Sequence, residues 1–168
     1  LNVDLVTLTG DYFSYVTKGY EQSLQDSFKK IESKYGKFGV LGNHDHWMGS
    51  KKVRDIFTNS NVIDLSNDVY TLEKDGEFLN ICGVDSCTVC ADNLDKVLAK
   101  MKKDTPSILL AHEPDFAKQS SQTNRFDLQI SGHSHGGQFI IPKFETTPFR
   151  GPNSRKYPVG IYEVGNMI

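Results

Sequence analysis

Residues 130–138 read ISGHSHGGQ, two histidines one residue apart among three glycines and two serines, at the end of an apolar run. A loop that only turns needs glycine and serine but no imidazole, so the histidines point to ligation or proton transfer. In extended backbone His133 and His135 would project to opposite sides, and each could serve one of two neighbouring cations. Glycines 132, 136 and 137 would let the chain pass close to such a site. Three other stretches carry groups of the same kind: Gly10-Asp11, Gly42-Asn43-His44-Asp45-His46 and Ala111-His112-Glu113-Pro114-Asp115. Taken singly, the first two are ordinary turns, and the third is a helix start with Pro at its first position. Cys82, Cys87 and Cys90 fall within nine residues, an odd and clustered count unlike a secreted disulfide framework. Cys87 and Cys90 form a CxxC, but no second CxxC or nearby His completes a zinc set, so all three are read as reduced thiols outside the chemistry.

The elements that must position these groups follow from periodicity. DLVTLTG (4–10) is a β-branched run that ends at Gly10-Asp11, and residues 19–35 place Tyr20, Leu24, Phe28, Ile31 and Tyr35 on one helical stripe. FGVLG (38–42) is a second strand ending in the Gly-Asn turn signal, followed by a helix over 50–58. NVIDL (61–65), VYTLE (69–73) and FLNICGV (78–84) read as an antiparallel section, the last two joined across Asp75-Gly76. A helix over 92–103, strands SILLAH (107–112) and FDLQISGH (126–133), and a loop with prolines from Pro142 to Pro158 complete the pattern. Strands alternating with helices, plus a hairpin, give an α/β class with one mixed sheet or two packed sheets. Four of these strands end in metal-capable side chains: Asp11, Asn43-His44, His112, and His133 with His135. Loops beyond the carboxyl ends of strands are where α/β folds bind ligands, so the four ends are expected to converge.

At 168 residues the chain is read as one domain, 1–168. Nineteen basic and twenty-one acidic residues leave a net charge of −2, with no basic groove or arm to attract a phosphate backbone, so no nucleic-acid partner is expected. No apolar run nears the roughly 20 residues that span a bilayer, and no signal peptide opens the chain, so these residues read as soluble. The chain starts inside an apolar run at Leu1 and stops in GIYEVGNMI, which reads as a strand with a turn. It is therefore expected to be truncated at the N-terminus, and at the C-terminus as well.

The set GD (10–11), GNHD (42–45), AHEPD (111–115) and GHSHGG (132–137), in this order and spacing, resembles the calcineurin-like metallophosphoesterase family. LLAHEPDFA, DLQISGHSHGGQ and YPVGIYEVGN are similar to its bacterial branch of membrane-linked phosphohydrolases. The resemblance implies a four-layer αββα sandwich of two mixed sheets, and a metal-dependent hydrolase that cleaves phosphoester or pyrophosphate bonds with a hydroxide activated by two metals. It implies that Asp11 bridges two divalent ions, that Asn43, His112 and His133 complete one shell, and that His135 belongs to the other. His44 would be the acid that protonates the leaving group, oriented by Asp45. Carboxylate, amide oxygen and imidazole without thiolate suit manganese, iron or zinc, with manganese favoured. The same branch places the protein in a bacterial cytoplasm or at a membrane, reached through segments outside these residues. No pattern here sets an oligomeric state.

One family motif is missing from these residues. An Asp-x-His at the end of the first strand would supply the ion shared with His135, yet the only earlier Asp, Asp4, is followed by Leu5 and Val6, and no His precedes His44. That ion would keep Asp11 and His135 alone, so one metal is expected to bind well and turnover to be poor. A non-catalytic scaffold of the same fold is the alternative. Substrate contact is expected from Lys143, Phe144, Phe149, Arg150, Arg155, Lys156 and Tyr157, with Trp47 and Met48 lining the pocket or packing beneath it.

Overall fold

The computed structural model describes residues 3–14, 19–137 and 152–168. Strands β1 (Val6–Leu8), β2 (Lys37–Gly39) and β3 (Val62–Asp64) form a wholly parallel sheet in the order β1-β2-β3. Strands β4 (Asp68–Lys74), β5 (Glu77–Gly83), β6 (Ser107–Leu110) and β7 (Leu128–Ile130) form a mixed sheet in that order. Parallel neighbours need a crossover, and α1 (Glu21–Lys30), α3 (Ser50–Asn59), α4 (Leu94–Lys100) and α5 (Ala117–Ser120) supply them. A further short helix, α2 (Asn43–Met48), follows β2. The β4–β5 hairpin turns at Asp75 (φ 55°) and Gly76 (φ 82°), both left-handed as a two-residue hairpin loop demands.

Side-chain alternation builds the layers. Ile81, Ile108 and Leu110 of the second sheet meet Phe38 and Val40 of the first in one cluster between the sheets. The intervening residues Cys82, Val84, Leu109 and Ala111 face the other way, onto Leu94, Val97 and Phe116. Phe28, Val53, Ile56 and Phe57 cover the outer face of the first sheet. Three apolar seams separate four layers, helix, sheet, sheet, helix, and hold the strand ends of both sheets at one edge.

Several boundaries differ from the sequence expectation. NVIDL does not join the antiparallel section: β3 lies parallel to β2, returned there by α3. The first helix ends at Lys30 instead of residue 35, because the Lys34 and Tyr35 amides donate to the Val3 and Asp4 carbonyls beside β1. GNHDH, read as a turn, begins a helix over Asn43–Met48. The closing segment forms no strand; a bridge between Val164 and Met167 frames the turn, and Ile168 then exchanges backbone bonds with Asp127 and Gln129 along β7. No helix among the described residues is long and apolar enough to cross a membrane.

Candidate metal centre

The ends of β1 and β2 face those of β6 and β7, and there one ligand atom from each of Asp11, His112 and His133 lies within 4.8 Å of the others. His112 is almost fully buried, and its Nδ1 sits 2.6 Å from the Thr9 carbonyl oxygen. A carbonyl can only accept, so Nδ1 carries the hydrogen and Nε2 turns its other valence to Asp11 Oδ2, 3.1 Å away. His133 repeats the arrangement. Its Nε2 donates to the Pro152 carbonyl at 2.9 Å, which leaves Nδ1 as an acceptor 3.2 Å from His112 Nε2. Asn43, which follows the Gly42 that abuts Asp11 and His112, is buried, and its Oδ1 has no hydrogen-bond partner among the described residues.

Three electron-pair donors therefore gather with at most one proton to share, and their outer partners fix both ring tautomers. A cation meets that demand, and carboxylate, amide oxygen and imidazole are the donor set of a hard or borderline divalent ion. Burial opposes ionisation of Asp11, but the hydrogen bond and charge of His112 outweigh it and hold the carboxyl below its ordinary range. Burial likewise opposes charge on His112, and Asp11 outweighs it, so that imidazole titrates above its ordinary value. His133 is pushed down by burial, only partly offset by its bond to Pro152.

The backbone is bent to make this fit. Asp11 (φ 61°) and His133 (φ 61°) occupy the left-handed region that costs a non-glycine residue on the order of 1 kcal/mol or more. His135 (φ 51°) does the same, so the extended geometry expected of GHSH is absent; it is exposed and stands outside the three-residue group, while His133 enters it. The glycines that matter most are Gly10 and Gly42, not those of GHSHGG. A Cβ on Gly42 would lie 2.2 Å from Asp11 Oδ1, and one on Gly10 would lie 2.7 Å from His112 Nδ1. Gly42 has an ordinary φ of −101°, so Gly42→Ala isolates the steric term. It is expected to cost about 1–3 kcal/mol in thermal unfolding and to weaken manganese binding, because Asp11 must move. Unchanged binding by titration calorimetry would contradict this.

Asp45 works through the backbone. Its carboxylate accepts from four backbone amides, Gly42, Asp11 and Tyr12 at 2.9 Å and Phe13 at 3.3 Å, and so staples the β1 loop to the start of α2. Burial raises its pKa, and the amides pull it back only in part. The His44 amide completes the staple by donating to Asp11 Oδ1 at 2.9 Å, and the His44 ring lies 4.9 Å from that of half-exposed Trp47. Met48 packs beneath, against the Phe28–Phe57 cluster. His46 turns away to Asp85 at 2.6 Å, a buried carboxylate that Arg54 also reaches, tying the two sheets together. Glu113, unread in the sequence, is buried and accepts from Ser86 Oγ and the Cys87 and Thr88 amides. Residues 142–151, including Lys143, Phe144, Phe149 and Arg150, lie outside the described residues. Arg155, Lys156 and Tyr157 are held by their amides on Asp115.

A family model described as calcineurin-like phosphoesterase matches residues 1–137, which include every one of these ligand candidates. The chain belongs to the calcineurin-like phosphoesterase family. This phosphoesterase chain is 30% identical over 166 residues to the uncharacterised metallophosphoesterase YkuE of Bacillus subtilis (strain 168), covering 97% of itself and 57% of that relative. It is 24% identical over 167 residues to the phosphodiesterase YaeI of Escherichia coli (strain K12), covering 96% of itself and 59% of the relative. It thus spans little more than half the length of either. Among solved structures it is similar in fold to a Staphylococcus aureus protein provisionally assigned as a 5'-nucleotidase, with a TM-score of 0.55 at 16% identity over 79% of this chain and 36% of that one.

Proposed function

We propose that residues 1–168 form a single metallophosphoesterase domain whose centre serves metal-dependent hydrolysis of a phosphoester or pyrophosphate. The observation that carries this is the convergence of Asp11, His112 and His133, and the buried, unpartnered Asn43 Oδ1 offers a further ligand. Divalent ions bound there would supply the charge that polarises a phosphoryl group and makes water a nucleophile near neutral pH. Asp11 and the two imidazoles orient that charge, with the Thr9 and Pro152 carbonyls locking the rings. His44, tied to Asp11 through its amide, is the residue to protonate the departing oxygen, and Trp47 flanks it on the open side.

Manganese is the favoured ion, and one site is expected to dominate. Asp11, Asn43, His112 and His133 can enclose one cation, whereas a second would have Asp11 and His135, with no Asp-x-His among these residues. Hydrolysis of bis-p-nitrophenyl phosphate with manganese, with bound metal counted per chain, tests both parts. Residual activity is expected, falling on the order of 100-fold in His44→Ala with metal content unchanged. Two tightly held ions would overturn the incomplete second site. A non-catalytic scaffold of the same fold is the second reading, which would be established by one bound ion and silence towards monoesters, diesters and pyrophosphate alike.

A further inference from the structure

The CxxC pair takes no part in the metal centre, yet the turn that carries it supports both of the centre's histidines. Ser86, Cys87 and Thr88 give Glu113 its three donors, and Glu113 directly follows His112. Thr88 Oγ1 accepts from Asn153 Nδ2 at 3.3 Å, and Asn153 directly follows Pro152, the carbonyl partner of His133. A single three-residue turn thus stands behind both imidazoles.

We propose that Cys87 and Cys90 are a redox-active vicinal dithiol, closed to a disulfide by exchange with a small disulfide, and that closure weakens metal binding at the neighbouring centre. The turn runs Cys87–Val89 as 3-10 helix, with the Cys90 amide donating to the Cys87 carbonyl at 3.1 Å and Cys90 left-handed at φ 56°, ψ 36°. A turn closed from i to i+3 keeps its end Cα atoms within roughly 7 Å, which overlaps the roughly 4.4–6.8 Å that a disulfide spans. Cys82 cannot compete, being buried within β5 among Val97 and Leu109.

The two thiols divide the work. Cys90 is exposed and meets the incoming disulfide, while Cys87 is half-buried, its thiol pushed well up by burial and by Glu113. Cys90 sulfur attacks one sulfur of the reagent, RSSR, and expels RS⁻. Cys87 then loses its proton to solvent as its sulfur attacks Cys90 Sγ and expels the second RS⁻, so two protein thiols are oxidised and one RSSR is reduced to two RSH. Proximity within the turn compensates for the low thiolate fraction of Cys87, so closure is the slow step. The ring draws the Cys87 and Cys90 backbones together and re-aims the Cys87 and Thr88 amides. Glu113, at 1% exposure, then loses donors it cannot replace with water, and His112 loses its fixed neighbour.

The experiment treats the protein with oxidised glutathione, maps cysteine masses by peptide, and titrates manganese before and after. The expected result is a loss of two hydrogens on the peptide holding Cys87 and Cys90, manganese affinity lower on the order of tenfold or more, and reversal by dithiothreitol. Cys90→Ser, an exposed substitution, should bind manganese as the reduced protein does and be unmoved by the reagent. A stable glutathione adduct on Cys90, or no change in mass, would overturn the dithiol. Ring closure with unchanged manganese affinity would overturn the coupling. The coupling rests on the metal-centre reading and the dithiol does not, so a reduced protein that binds no manganese removes the coupling together with that reading while the mass map still judges the disulfide.

Discussion

Asp11→Asn is expected to lower manganese affinity by well over ~100-fold, beyond the upper end of what loss of an outer partner costs, while the fold survives. The substitution removes the one formal negative charge among Asp11, Asn43, His112 and His133 but keeps the side chain's shape. Its oxygen can still accept from the His44 amide, which Asp11 Oδ1 does at 2.9 Å. Its new NH2 faces His112 Nε2, the position 3.1 Å from Asp11 Oδ2, and can donate there. A cluster with too few protons would thereby gain one without any cation, so stability in chelator is expected to stay within about 1 kcal/mol of the parent. Saturating manganese at about 100 times its dissociation constant should stabilise the parent by about 2.7 kcal/mol, or roughly 5–11 °C in Tm, and the variant not at all. Melting curves with and without manganese check both halves. A variant still stabilised by manganese would show that the carboxylate is not a ligand.

The parts of this centre that were legible in the sequence are those whose signal is local. β-Branched runs ending at Asp11, Asn43, His112 and His133 announce strands and their ends, and the end of a strand in a layered α/β fold is a position in space as well as in sequence. What brings those ends together is not local. β3 is three residues long with a single buried side chain, and nothing in NVIDL says whether its partner is β2 or β4; α3 decides that by packing Val53, Ile56 and Phe57 onto the first sheet. The GHSH segment misled for a related reason. A spacing of two implies opposite faces only if the backbone is extended, and at His133 and His135 it is left-handed. Gly10 and Gly42 looked like turn residues, although their lack of a side chain is required by atoms 31 to 102 positions away, as when Gly10 passes His112. Glu113 sat unread inside AHEPD because its partners, Ser86 to Thr88, belong to another loop.

Asp45→Ala is the substitution expected to cost the most stability, at roughly 3 kcal/mol or more, or about 6–12 °C in Tm. Asp45 is fully buried, and burial alone favours its neutral form. Four amides converge on it, and they belong to two segments, residues 11–13 and Gly42, that are distant in sequence. Alanine removes the carboxylate and its desolvation cost, but it leaves the Gly42 and Phe13 amides in a dry interior with no acceptor, at about 1–3 kcal/mol for each buried donor so stranded. The Asp11 amide is orphaned with them, and that residue is held at φ 61° only while its surroundings insist on it. The loop should therefore relax towards ordinary φ and carry the Asp11 carboxylate away from His112. Metal binding is expected to fall along with stability, whereas in Asp11→Asn the two separate. Asp45→Asn distinguishes a lost acceptor from a lost charge: its oxygen can keep some of the amides, but its NH2 confronts the others, so it should recover only part of the loss. Amide hydrogen exchange at residues 11–13 and 42 gives the local readout. Protection there equal to the parent's, in an Asp45→Ala protein that also melts like the parent, would show that the β1 loop is held by something other than this carboxylate.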